Sequence, residues 1–148
     1  MAERITDGEY RGLAELRYRI RRFLQEGDTT AVQAGLEPQQ YLLLLAIRGL
    51  PEGQDATIRT VAERLALRHH STVELIDRME ARGYVRRTRG REDRRQVLVS
   101  LQPRGERLLE QVVEHRIIEL RANGRELVGA IDALLERKRS GRKRQRAK

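Results

Sequence analysis

A cluster of arginines between residues 86 and 95 contains the side chains of this chain that are best suited to binding a charged partner. The segment RRTRGREDRR holds six arginines and only two acidic residues, Glu92 and Asp93. Arginine presents a planar fork of donors that matches phosphate oxygens and the edge of guanine. The GRED turn lies between two strand-like stretches, so we expect the cluster at the tip of a β-hairpin. These features point to a nucleic acid as the partner.

The residues before this hairpin predict two short helices joined by a tight turn. The first is expected over about 59–66 and the second over about 70–81. The second has an apolar inner stripe at helical spacing, formed by Val73, Ile76 and Met79. A pair of this kind can set its second helix into the major groove of duplex DNA, which is wide enough to admit a helix.

The flanking segments are expected to be helical as well. Apolar residues recur at helical spacing over 7–26, and an almost wholly apolar helix is expected from Pro38 to about Gly49. The hairpin strands are expected at 84–89 and 96–101. Pro103 then begins a long helix that is expected to break at Asn123-Gly124, before a last helix. The predicted fold class is mainly α with a small β wing.

The apolar stripes near both chain ends predict a homodimer. The central part, about 38–101, can bury its own core, whereas the helices over about 7–26 and 103–136 carry long stripes of Leu, Ile and Val. A two-fold interface would bury identical patches and set two recognition helices about one duplex turn apart on a pseudo-palindromic site. The alternative is that the terminal helices fold back within one monomer.

The distribution of charge separates a nearly neutral body from a basic tail. The net charge is +9, but eight basic residues lie in the last twelve, RKRSGRKRQRAK, so overall charge is weak evidence for a nucleic-acid partner. We expect this tail, 137–148, to be poorly ordered unless something binds it. It either adds sequence-independent attraction to DNA or serves only solubility.

Several other functions are disfavoured by what the sequence lacks. No cysteine is present, which excludes disulfides, thiolate zinc sites and thiol-based redox sensing. No P-loop, Gly-x-Ser-x-Gly or His-Glu-x-x-His motif occurs. His69 and His70 would point about 100° apart on a helix, a poor arrangement for a shared metal. We therefore expect no enzyme activity, no cofactor and no metal.

The N-terminal segment MAERITDGEY and the overall hydropathy pattern bear on the compartment. The segment is polar and acidic, unlike a secretory signal peptide. No run of about 18 apolar residues is present, so we expect no membrane association. A cytoplasmic, nucleoid-associated protein is the expectation.

With these elements assigned, the chain resembles the MarR family of bacterial transcriptional regulators from about Asp7 to Glu136. STVELIDRMEARGYVRR is similar to the family's recognition helix and first wing strand, and PRGERLL resembles the start of its dimerisation helix. The Asp93-x-Arg95 pair in REDRRQVLVSL matches the wing signature. The resemblance implies a winged helix-turn-helix within one domain, 1–136, and a ligand-responsive homodimeric repressor. Ala66 departs from the pattern, since many members have glycine there.

The expected DNA contacts on the second helix lie in its first turn and on its outward face. Ser71 and Thr72 could bond to phosphates or base edges, with N-capping as the alternative role. Arg78 could bind guanine through two hydrogen bonds. Its alternative is an ion pair with Glu74 or Asp77. Glu74 could itself accept from a cytosine amino group or only hold Arg78 in position.

The wing provides the second set of expected contacts. By resemblance, Arg95 is expected to enter the minor groove, with Asp93 fixing the wing by pairing with a nearby arginine. The alternative is a solvated charged turn. The full set of expected DNA-binding residues is Arg68, His70, Ser71, Thr72, Glu74, Leu75, Arg78, Arg86, Asp93, Arg94 and Arg95.

The resemblance also implies a small-molecule site between the dimerisation helices and the DNA-binding part. Arg17, Tyr18 and Tyr41 offer a cation and aromatic surfaces that would suit an anionic aromatic compound. Their alternative role is ordinary packing for the tyrosines and a surface charge for Arg17. A different reading of the whole chain is a winged-helix module for RNA or protein without small-molecule sensing. The aromatic content of 3% argues against single-strand recognition, which relies on stacking.

Overall fold

The fold is described from a computed structural model, which covers the backbone of residues 4–145 and the side chains of residues 4–136. Within those residues, five helices and two strands follow one another: α1 Asp7–Gln33, α2 Pro38–Arg48, α3 Ile58–Leu65, α4 His69–Ala81, β1 Val85–Arg89, β2 Val97–Leu101 and α5 Pro103–Gln145. The predicted class, mainly α with a small β wing, is confirmed. Contacts divide the chain into a central unit, residues 28–115, and a terminal unit that begins again at Arg116.

The central unit is built around a helix that is apolar on almost all sides, as predicted. Leu43 and Leu44 of α2 have no exposed surface, whereas Leu42 and Leu45 are 42% and 37% exposed, so the helix is covered on one side only. Pro38 stands at the start of α2, where a missing N–H costs nothing, and the Glu37 and Gln40 side chains form a capping box. The buried core of this unit comprises Ala31, Leu36, Tyr41, Leu43, Leu44, Ile47, Val61, Leu75, Ile76, Met79, Tyr84, Val85, Val99, Leu109 and Val112.

The predicted helix pair is formed by α3 and α4. The Thr57 hydroxyl caps α3 by accepting from the backbone N–H of Thr60 at 3.1 Å. Ala66 ends the helix in the left-handed conformation, with φ 52° and ψ 37°. The N–H of Leu67 then donates to the Ala62 carbonyl at 3.1 Å, which closes the turn. Ala66 stands where many members of the family that the chain resembles have glycine, and the turn still forms.

The wing is the antiparallel hairpin of β1 and β2, residues 85–101, with its tip at 90–96. Val85 pairs with Leu101 and Arg89 with Val97. The N–H of Val99 donates to the Ala56 carbonyl at 2.9 Å, which ties β2 to the segment before α3. The base of the hairpin is thus anchored, since Val85 and Val99 are also buried.

The terminal unit contains the first part of α1 and the later part of α5. Arg116 is its buried charge, with 7% of its surface exposed. Its guanidinium donates to the Phe23 carbonyl at 2.7 Å, pairs with Glu119 and lies 4.6 Å from the centre of the Phe23 ring. These contacts satisfy the charge within the unit.

Two predicted helix boundaries are wrong. Helix α1 continues to Gln33 rather than ending near residue 26, and α5 runs through Asn123 and Gly124 without a break. One glycine inside a long helix costs only about 1 kcal/mol, which flanking helix formers offset. The backbone of α5 extends to Gln145, past the predicted start of the basic tail. The tail side chains and residues 146–148 lie outside the described residues, so its expected disorder stays a prediction.

Candidate nucleic-acid interface

Helix α4 has a buried face and an exposed face. The buried face consists of Thr72, Leu75, Ile76 and Met79. The exposed face carries the polar side chains, namely His69, His70, Ser71, Glu74, Asp77, Arg78 and Glu80. A partner that approaches α4 from solvent therefore meets hydroxyl, carboxylate, imidazole and guanidinium groups.

The outward positions predicted for Thr72 and Leu75 are wrong. Leu75 is 1% exposed and belongs to the core, and Thr72 has no exposed surface. The Thr72 hydroxyl donates to the Arg68 carbonyl at 3.0 Å, so its polar atom is satisfied inside the protein. The physical reason is helical spacing: Leu75 lies one turn from both Thr72 and Met79, on the stripe that packs inward.

Ser71 remains exposed, but its alternative role as the N-cap is excluded by position. Helix α4 begins at His69, and Arg68 occupies the capping position with extended backbone angles. In the described part of the chain, no side chain caps this helix start. The first-turn N–H groups and the Ser71 hydroxyl therefore lie at a helix N-terminus, which favours an anion such as phosphate.

The side-chain contacts of the charged residues on α4 differ from those considered in the sequence. His70 Nε2 lies 3.2 Å from Glu74 Oε1, and Asp77 pairs with Arg87 of β1 at 2.5 Å. Among the described residues, Arg78 has no ion-pair partner, so the pairing with Glu74 or Asp77 is not formed. The exposed guanidinium of Arg78 is left available for a base edge or a phosphate.

The wing tip is held by hydrogen bonds to backbone atoms rather than by an ion pair. Asp93 Oδ1 accepts from the Arg95 N–H at 2.9 Å, and the Asp93 carbonyl accepts from the Gln96 N–H at 3.1 Å. The predicted pairing of Asp93 with an arginine is therefore wrong, because its carboxylate is used in a local turn. Arg89 Nη1 also donates to the Arg94 carbonyl at 3.1 Å. Arg94 and Arg95 keep their side chains exposed.

Nine of the eleven predicted DNA-binding residues lie exposed in the central unit. They are Arg68, His70, Ser71, Glu74, Arg78, Arg86, Asp93, Arg94 and Arg95. Sequence reasoning missed Arg87, which joins the wing to α4 through Asp77 and Glu80. The sequence did contain a sign of this contact. Asp77 and Glu80 are one helical turn apart, so they lie on the same side of α4, and Arg87 faces the opposite side of its strand from Arg86.

Of the three residues predicted for a ligand, Arg17 and Tyr18 lie in the terminal unit and Tyr41 lies in the central unit. Tyr41 is 8% exposed and packs in the core of the central unit, while Arg17 and Tyr18 are exposed on α1. The Tyr18 hydroxyl accepts from Arg22 Nη1 at 3.2 Å, which raises the pKa of Arg22. The packing of Tyr41 agrees with the alternative role considered for it, and its contact with a ligand stays a prediction.

A cavity of about 330 Å³ is present in the terminal unit instead. It is lined by Arg19, Arg22, Phe23, Glu26, Arg116, Glu119, Leu120, Asn123, Gly124, Glu126 and Leu127. Its arginines are paired with glutamates, as in the 2.6 Å contact of Arg19 with Glu126. None of the predicted ligand residues lines it.

The described residues lack two other kinds of functional feature. Within residues 4–145, no helix has the length and apolar character needed to span a bilayer. The described residues also contain no group of three or more His, Asp or Glu side chains placed to hold a metal ion.

The sequence of this chain is similar to those of known transcriptional regulators. Residues 34–96 match the model of the MarR family. The chain is 33% identical over 92 residues to the uncharacterized HTH-type transcriptional regulator YsmB of Bacillus subtilis (strain 168), an alignment that covers 62% of this chain and 61% of that protein. Less than two thirds of that relative's length is therefore matched.

The solved structures extend the likeness over most of the chain. A MarR family protein from Bacillus stearothermophilus has a TM-score of 0.68 and 25% identity, covering 95% of this chain and 99% of that one. CouR from Rhodococcus jostii RHA1, in a structure bound to p-coumaroyl-CoA, has a TM-score of 0.61 and 28% identity, covering 85% of each chain.

Proposed function

Because the chain belongs to the MarR family of winged-helix transcriptional regulators, we propose that it binds double-stranded DNA sequence-specifically as a homodimer. In this proposal it represses transcription in the bacterial cytoplasm, in association with the nucleoid. Its operator is pseudo-palindromic, because a two-fold dimer presents two identical α4 helices.

The observation that carries this proposal is the arrangement of exposed cations in the central unit. Arg78 on α4 has no ion-pair partner among the described residues, and Arg94 and Arg95 are exposed at the wing tip. Arginine in the major groove reads guanine, and arginine in a narrow minor groove responds to its negative potential. In the proposal, α4 reads base edges through Ser71, Glu74 and Arg78.

The remaining exposed residues have positioning roles in the proposal. Arg68 and Arg86 neutralise phosphates, and His70 adds a donor near the start of α4. Asp93 acts on DNA only through the wing-tip turn, since its carboxylate already accepts from a backbone N–H. Thr72 and Leu75 are not included, because both are buried.

The test is binding to operator DNA selected from random duplexes, measured by fluorescence anisotropy over a range of salt concentrations. Arg78→Ala is expected to weaken binding to the selected site by about 1–3 kcal/mol and to relax preference at one base pair. Arg95→Ala is expected to weaken binding while leaving the dimer intact. A variant that has lost one phosphate contact is expected to show a smaller dependence of affinity on salt: the slope of log binding constant against log salt concentration falls in magnitude by about one.

Arg48→Ala is the matched control for loss of one positive charge. Arg48 is exposed on α2, outside α4 and the wing, and pairs with Glu106 at 2.8 Å, a hydrogen bond that raises its pKa. Its removal should leave site preference unchanged. Equal effects of all three substitutions, or equal retention on single-stranded DNA or RNA, would contradict recognition of duplex DNA by α4 and the wing.

We also propose that a small molecule controls DNA binding. Support comes from the similarity to CouR, whose structure holds p-coumaroyl-CoA. The cavity beside Arg116 in the terminal unit is the candidate location. A ligand acts only through different affinities for DNA-competent and incompetent states. Titrating aromatic acids and their thioesters into the protein–DNA complex tests this. If a compound releases DNA from the parent protein but not from an Arg116→Gln variant, that result would support the location.

A further inference from the structure

Arg87 of strand β1 contacts helix α4 through both its side chain and its backbone. Nη2 lies 2.5 Å from Asp77 Oδ1, and Nη1 lies 3.2 Å from Glu80 Oε1. Nη2 also donates to the Val73 carbonyl at 3.5 Å, and the backbone N–H donates to Glu80 Oε2 at 2.8 Å. One strand residue therefore contacts Val73, Asp77 and Glu80, which lie on successive turns of the helix. We call Arg87, Asp77 and Glu80 the wing clamp.

The wing clamp differs from an ordinary surface ion pair. The Arg87 side chain is only 24% exposed, whereas neighbouring Arg86 on the opposite face of the strand is exposed. Solvated single pairs contribute little, but a shielded guanidinium with several charge-assisted bonds has a fixed geometry. The clamp also occupies two carboxylates on α4 that would otherwise repel a phosphate backbone.

We propose that Arg87 is a positioning residue that holds the wing on α4 at the separation required for both to contact one duplex. This inference rests on the proposed DNA-binding function. A two-stranded hairpin is marginally stable by itself. Val85 and Val99 anchor its base in the core, while the tip, 90–96, has exposed side chains at nearly every position. A freely moving tip would lose conformational entropy when bound, and the clamp lowers that loss in advance.

Two substitutions loosen the clamp while changing charge differently. Arg87→Lys keeps the positive charge but lacks the planar fork that contacts two carboxylates at once. Asp77→Asn removes one partner and makes α4 less negative. Electrostatic attraction alone predicts tighter DNA binding for Asp77→Asn. Positioning predicts that the contribution of the wing falls in both variants.

The measurement is a set of double-mutant cycles on selected duplex DNA. Arg95→Ala is expected to weaken binding by about tenfold in the parent protein. In the Arg87→Lys and Asp77→Asn backgrounds the same substitution should cost less than about threefold. The effect of Arg78→Ala should be equal in all three backgrounds, because the core holds α4. If Arg87 had only a structural role, loosening the clamp would not selectively change the factor by which Arg95→Ala weakens binding. An unchanged factor would therefore overturn the proposal.

A measurement without DNA separates this inference from the proposed function. The chain has no native cysteine, so spin labels at Ser71→Cys and Glu92→Cys report one distance between α4 and the wing tip. Labelled chains are diluted with unlabelled protein to keep the distance within one chain. Arg87→Lys should broaden the distance distribution, and an unchanged width would refute the clamp. If the distribution broadens but the parent fails to bind duplex DNA, the proposed function and the DNA role of Arg87 both fail, whereas the wing attachment stands.

Discussion

At the scale of single residues, the turn between α3 and α4 depends on a backbone conformation that alanine adopts poorly. Ala66 has φ 52°, and among the described residues it is the non-glycine residue with a positive φ. The Cβ of an L-residue approaches its own carbonyl oxygen in this region, which costs roughly 1–2 kcal/mol. The hydrogen bond from Leu67 to Ala62 and the packing of both helices hold the turn against this cost.

Ala66→Gly is therefore expected to stabilise the protein by about 0.5–1 kcal/mol, because glycine relieves the strain at this helix end. Ala66 is exposed, so no packing is lost. Chemical denaturation measures the change. Ala14→Gly is the control, at an exposed position inside α1, and should lower stability by a similar amount. A decrease for both variants would show that the turn is not strained.

The two faces of α4 predict opposite phenotypes for neighbouring polar and apolar residues. Leu75→Ala should cost about 2–5 kcal/mol of stability, since the side chain is 1% exposed in a packed core. Ser71→Ala should change stability by less than about 0.5 kcal/mol and weaken DNA binding, since its hydroxyl is exposed. Thermal unfolding and anisotropy, measured on both variants, distinguish the two effects. A stable Leu75→Ala variant with a specific binding defect would restore the sequence-based prediction.

At the scale of elements, α5 shows that equivalent residues in one helix have different roles. A Cβ at Gly105 would lie 2.2 Å from the Tyr84 carbonyl oxygen, so the wing base and the start of α5 approach at backbone distance. The N–H of Gln102 donates to the same carbonyl at 2.8 Å. Gly129, on the same helix, has no described atom within 4 Å of its Cβ position apart from its chain neighbours and the adjacent backbone of its own helix. The first glycine is a packing requirement, and the second is only a weak helix former.

Gly105→Ala and Gly129→Ala should therefore shift stability in opposite directions. The first forces backbone atoms apart and is expected to cost about 1–3 kcal/mol. The second raises helix propensity and is expected to add up to about 1 kcal/mol. Both shifts are read from the midpoints of urea unfolding. Equal shifts would mean that propensity in α5 outweighs the contact with Tyr84.

At the scale of the whole molecule, the terminal helices carry apolar side chains that the single chain leaves exposed. Leu13 is 61% exposed, Ile118 61%, Val128 56% and Leu135 61%. Many large apolar side chains exposed on the same helices are typical of a protein–protein interface. These side chains support the proposal that a second copy of the chain covers them, as a two-fold dimer requires.

The double variant Leu13→Glu with Val128→Glu is expected to produce folded monomers, because both positions are exposed within the chain. Operator affinity should then fall by at least about 100-fold, since a monomer presents one α4 and loses the linkage between half-sites. Sedimentation and circular dichroism measure assembly and folding. A parent protein that sediments as a monomer, or a variant dimer with full affinity, would contradict the dimer proposal. Arg11→Glu, on an exposed part of α1, is the control for added negative charge.

The order of helices and strands could be predicted from the sequence because it depends on local patterns. Pro38 and Pro103 mark helix starts, and alternation of apolar residues marks β2. Gly83, just beyond α4, has a positive φ of 72°, as a glycine that follows a helix often does. The exposed arginines of the wing were also predictable, since a charged turn has no route into the core. These features depend only on interactions between residues that are close in the sequence.

Only the tertiary structure decided which polar groups are available to a partner. Burial of Leu75 and Tyr41 and the use of Asp77 by Arg87 each depend on residues from different elements. Local spacing determined the elements of this protein, whereas packing between elements selected its exposed cations, because burial and ion pairing are settled between segments distant in sequence.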